Sequence, residues 1–151
     1  TVLEAFVILD VEKNLGEMGV EVTRAVWTSS WLRHIFHVEK WDPRGRGSYT
    51  ASAAPYLNHS AGGESIVSVG AAVYFAKQGY DGVVHLMPFT CMPEVVAQSI
   101  LSKVSRDFDI PILTIILDEH SAQTGVMTRL EAFVDLLARR REQRSLKTIE
   151  L

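Results

Sequence analysis

The sequence predicts an α/β domain: three layers, α/β/α, around a mostly parallel, Rossmann-like sheet of about four strands. Three observations carry this expectation. Short apolar runs alternate with longer amphipathic stretches, and glycines or an Asp-Gly pair separate the two kinds of segment. One run, Ile112 to Leu117, is apolar at nearly every position, as parallel strands covered on both faces are. Strands joined through helices pair in parallel by right-handed crossovers.

In chain order, Thr1-Val2-Leu3-Glu4 reads as the tail of a strand and lacks an initiator Met, so a C-terminal fragment of a larger protein is expected, with 1–151 as a single α/β domain. Phe6 to Met18 follows as a helix closed by Gly19, then Val20 to Thr23 as a short strand with alternating faces. A helix over Ser29 to His37 places Trp31, Leu32, Ile35 and Phe36 at helical spacing, facing the core. Asp42-Pro43 and Gly45-Arg46-Gly47 make Asp42 to Ser48 the clearest loop signal, and a short helical turn fits Ala51 to Leu57.

Gly62-Gly63 opens a nearly all-apolar helix from Ser65 to Lys77, ended by Gly79. Asp81-Gly82 turns the chain into the strand Val83 to Leu86. The next helix, Pro93 to Arg106, puts Val96, Ile100 and Val104 on one stripe. After the strand Ile112 to Leu117, a last helix runs from about Gly125 to Arg140, with Val126, Leu130, Phe133, Val134 and Leu137 on one face and Thr128 with Glu131 as a capping box.

Composition narrows the function classes. Eighteen acidic against fifteen basic residues provide no broad basic field, so nucleic acid is not an expected partner. No apolar run approaches the roughly 18 residues of a membrane span, so no membrane partner is expected either. Arg139-Arg140-Arg141 and Arg144 read as a solvated helix end favoured by the helix dipole. With a single cysteine no intramolecular disulfide can form, and a reducing cytoplasm is the expected compartment.

That cysteine is the focal residue. In a parallel sheet the strands ending at Leu86 and Leu117 deliver their loops to one edge, where open α/β sheets bind ligands. One loop carries Thr90, Cys91 and Met92, and the other carries Asp118, Glu119, His120 and Ser121. Pro93 suits the first helical position, which puts Cys91 at a helix N-terminus, where the dipole favours a thiolate or a bound anion. A free cysteine also packs readily as a small hydrophobe, so both readings stand on position alone. Glu119 reads as a turn former, Asp118 as a cleft residue, His85 as a core histidine with a hydrogen-bonded ring, and Gly62-Gly63 as the start of a helix. The tryptophans Trp27, Trp31 and Trp41 read as packing residues whose clustering could also meet a further domain.

Four stretches resemble a known family: Val67 to Ala72, Gln78 to Val84, Met87-Pro88-Phe89-Thr90-Cys91-Met92-Pro93, and Thr128 to Phe133. In order and over most of the chain, they look like the C-terminal part of the 2-hydroxyacyl-CoA dehydratase and benzoyl-CoA reductase subunit family, closest to relatives known as CoA-substrate-specific enzyme activases. The resemblance implies that Cys91 is one ligand of a four-iron four-sulfur cluster, in proteins that move electrons at low potential to activate acyl-CoA substrates. The cleft residues would then be Thr90, Met92, Asp118 and His120. A cluster takes several thiolates and this chain has one, so the remaining ligands are expected from missing N-terminal domains or a second subunit. No ATP-binding phosphate loop is present. Two other readings remain open. One is a non-catalytic α/β module that binds a ligand or partner with Cys91 only packed; the other is a cysteine nucleophile assisted by His120.

Overall fold

Among the described residues, two six-residue strands form the sheet. The structure, a computed structural model, describes residues 10–26, 36, 46–59, 61–118 and 123–149. In chain order the elements are α1 (Val11–Glu17), α2 (Arg46–Ala53), α3 (Ser65–Lys77), β1 (Val83–Pro88), α4 (Met92–Asp107), β2 (Ile112–Leu117) and α5 (Gln123–Ile149). β1 and β2 are parallel, in a register that sets Val83 against Ile112 and Pro88 against Leu117.

Alternation along the strands sorts their side chains between two cores. Val84, Leu86, Leu113, Ile115 and Leu117 pack with Val11 and Leu15 of α1 and with Val126 and Leu130 of α5. Val83 and Ile112 join Ala53, Val69, Val73, Ala97, Leu101 and Val104, from α2, α3 and α4. A third cluster seats Tyr49 of α2 against Val67, Ala71 and Phe75 of α3. Gly70 permits that crossing, because a Cβ there would lie 1.8 Å from the Tyr49 carbonyl oxygen.

Helix ends follow the sequence's punctuation. α1 and α3 close on Gly19 and Gly79, both at positive φ. In each, two backbone bonds return to the last turn, Val20 N–H to Leu15 C=O and Tyr80 N–H to Phe75 C=O being the longer-range ones. α4 closes in the same way with Asp109, φ 49°, in the glycine position, and Ile110 N–H donates to Ser105 C=O at 3.1 Å.

The α/β expectation holds at this level, while several finer expectations do not. Among the described residues the sheet has two strands, not about four. Val20 to Thr23 forms no strand and joins no ladder among them, because a strand needs a hydrogen-bonded neighbour and neither described strand provides one. Among the described residues the first helix begins at Val11, preceded by Asp10 with a left-handed φ of 50°, and Phe6 to Ile8 and Leu9 of the expected helix lie outside them. α2 starts at Arg46, inside the expected loop, because burial of Tyr49 and Ala53 against α3 rewards a helical turn there.

The buried stripe of α4 is Glu94, Ala97, Leu101 and Val104; of the expected stripe, Val104 is buried and Ile100 packs partly buried against the same core, while Val96 is 36 % exposed. α5 runs to Ile149, so Arg139 to Arg144 lie within a helix and not at its end. Thr128 is also interior, donating to Thr124 C=O at 3.0 Å, and so caps nothing. Phe36, placed in the core by its spacing, is 71 % exposed: apolar character permits burial but does not compel it. The rest of the Ser29 to His37 helix, Thr1 to Glu4 and the three tryptophans lie outside the described residues.

Candidate functional site

β1 ends in Pro88, which has no N–H to give to the ladder. The next residue takes over: Phe89 N–H donates to Leu117 C=O at 2.8 Å, so the departing loop is still fastened to the end of β2. The chain then reverses over Pro88 to Cys91, with Cys91 N–H donating to Pro88 C=O at 3.2 Å. Thr90, third in this turn, has φ 63°. A positive φ there marks a type II turn, where glycine is the usual occupant.

Cys91 is the N-cap of α4, with extended backbone angles (φ −74°, ψ 93°) and no capping bond from its side chain. Its carbonyl accepts the N–H groups of Glu94 and Val95, each at 3.0 Å, and Pro93 lies in the first helical turn, as its missing donor allows. The thiol is half-buried. Thr90 is exposed, and Phe89 and Met92 are 61 % and 70 % exposed, so the turn projects from the sheet edge.

A polar chain with a buried His85–Glu94 centre joins β1 to α4, α3 and β2. The Nε2 of His85 on β1 bonds Glu94 Oε2 at 2.8 Å. Its Nδ1 faces the Thr114 hydroxyl of β2 at 3.3 Å, and the Ser68 hydroxyl of α3 donates to Glu94 Oε1 at 3.1 Å. His85 and Glu94 are 7 % and 6 % exposed. His85 is thus the core histidine with a hydrogen-bonded ring that its strand position predicts. Glu94 was not singled out by sequence reasoning, although its phase held a signal: 94, 97, 101 and 104 are at helical spacing.

The start of α3 packs beside that of α4. Gly62 and Gly63 both have positive φ, the Ser65 hydroxyl donates to Gly62 C=O at 3.0 Å, and a Cβ on Gly63 would come 3.3 Å from Pro93. Arg46 pairs with Glu64 at 2.7 Å. Gly62-Gly63 therefore serves as a helix start, as expected.

Of the expected cleft residues, Thr90, Cys91 and Met92 share the turn, and Asp118 follows Leu117 at the neighbouring strand end, exposed. Glu119, His120 and Ser121 lie outside the described residues. Chemically, the turn offers one thiol. Of the described histidines, His85 has both ring nitrogens engaged and His59 is exposed in the loop between α2 and α3, so neither is placed as a base for Cys91. Among the described residues no three His, Cys, Asp or Glu side chains are grouped to hold a metal ion. A four-iron cluster therefore does not fit these residues alone; Cys91 could provide one ligand. No helix among them is long and apolar enough to cross a membrane.

No family model, curated protein or solved structure matches the chain.

Proposed function

We propose that this chain is the cysteine-bearing domain of a low-potential electron-transfer protein related to 2-hydroxyacyl-CoA dehydratases and CoA-substrate enzyme activases. In this reading Cys91 is one ligand of a four-iron four-sulfur cluster, and the working protein is cytoplasmic with an acyl-CoA substrate. The observation that carries it is the placement of Cys91: a half-buried thiol on an exposed turn, at a helix N-terminus and a parallel-strand end, within the segment Met87 to Pro93. The positive end of α4 favours an anionic centre there. The other thiolates come from outside these 151 residues, and the two described strands belong to a wider, three-layer, Rossmann-like sheet of about four strands.

A second reading draws on the same turn. Exposed Phe89, Met92, Val95 and Val96 form an apolar rim suited to a partner domain, which would make this a non-catalytic binding module. Anaerobic iron and sulfide analysis of the intact protein that carries this chain, wild type against Cys91→Ala, separates the two. The cluster reading expects iron and sulfide to fall in the variant. Equal iron in both proteins removes Cys91 from the ligand set and leaves the binding module.

A further inference from the structure

The chain Thr114–His85–Glu94–Ser68 joins four elements, β2, β1, α4 and α3, with Glu94 in the first turn of the helix that Cys91 caps. Its energetic value is modest, because buried polar pairs are commonly replaced by well-packed apolar groups without loss of stability. Its geometric value is larger. Val96, Ala97, Ile100, Leu101 and Val104 form a broad apolar arc on α4, with Ile100 already packed beside the buried Ala97, Leu101 and Val104, so a neighbouring rotation of the helix would also bury hydrophobic surface. Apolar contacts alone distinguish the Val96–Ile100–Val104 stripe poorly from the Ala97–Leu101–Val104 stripe that is observed. Only the second brings Glu94 to His85. Since Cys91 is the N-cap of this helix, its rotation sets the direction in which the thiol is presented.

We propose that His85 and Glu94 are positioning residues that fix the rotation of α4 and thereby the presentation of Cys91. This rests on the cluster reading only for what the thiol holds; the positioning itself belongs to the chain with or without iron. Ser68 braces Glu94 from α3, and Thr114 sets the His85 ring from β2.

The test is the rate at which iodoacetamide alkylates Cys91, the only thiol of the chain, read by mass spectrometry beside a urea melt of each variant. His85→Leu with Glu94→Leu fills the site with apolar groups and is expected to stay folded while the alkylation rate rises several-fold above wild type. Ser68→Ala removes one brace and is expected to give a smaller rise. Glu94→Gln keeps a hydrogen-bond partner for His85 and is expected to restore a rate close to wild type. A folded double variant with the wild-type rate overturns the proposal, as does a Glu94→Gln rate matching that double variant. Should the double variant fail to fold, Ser68→Ala decides, an unchanged rate overturning the proposal. Because no metal enters the readout, failure here and failure of the iron measurement are separate results.

Discussion

Thr90 holds a φ of 63°, a region that residues branched at Cβ rarely enter. Replacing it with glycine removes about 1–2 kcal/mol of steric cost and adds roughly 0.5–1 kcal/mol of chain entropy to the unfolded state, so relief wins. Thr90→Gly is expected to stabilise the protein by about 0.5–1 kcal/mol, read from the urea midpoint, and a lower midpoint would contradict the strain argument. A threonine in that position cannot be recognised from the sequence, because the turn is defined by bonds between Pro88 and Cys91 and by the end of β2. His85 was legible: a histidine inside an apolar strand must find partners for its ring. Its main partner was not, since Glu94 in a first helical turn reads as an exposed dipole-pairing acid. The burial of Glu94 depends on three other elements that sequence spacing does not bring together.

At the scale of elements, the glycines of two junctions make contrasting predictions. A Cβ at Gly70 meets the backbone of α2 at 1.8 Å, and a carbonyl cannot move without moving its helix. A Cβ at Gly82 meets the ends of the Leu137 and Phe133 side chains at 2.8 Å and 2.9 Å, which can rotate. Gly70→Ala is therefore expected to destabilise by about 3 kcal/mol and Gly82→Ala by about 1 kcal/mol, and equal urea midpoints would show that α2 shifts freely on α3. The limits of α3 were legible because glycines bracket it, and those of β2 because Pro111 precedes its apolar run and Asp118-Glu119 ends it. The extent of α5 was not. Its last turns are arginine-rich with little apolar periodicity, and what holds them is a long-range pairing with the turn after α4.

Over the whole molecule, that pairing lies at the sheet end opposite Cys91. Arg140 bonds the Asp109 carboxylate at 2.6 Å and its carbonyl at 2.9 Å, and Arg144 reaches the same carbonyl at 3.1 Å. The Arg140 hydrogen bond first, then its charge and that of Arg144, hold the Asp109 carboxyl below its usual 3.8. A lowered carboxyl stabilises the fold above the unfolded value and loses that contribution as pH falls through the folded one. Asp109→Asn is thus expected to lower the melting temperature at neutral pH, with the difference from wild type shrinking below about pH 5 and vanishing in stronger acid. A difference that persists there would assign the effect to the backbone turn and not to the charge.

The two ends of the sheet are thus fastened by different chemistry. The Asp109 end relies on exposed ion pairs, which salt screens, and the Cys91 end centres on the buried His85–Glu94 hydrogen bond, which it scarcely touches. Ionic strength therefore acts on this protein unevenly: concentrated salt relaxes the hold of α5 on its distal turn and the Arg46–Glu64 pair, and leaves the buried His85–Glu94 contact as it was in dilute buffer.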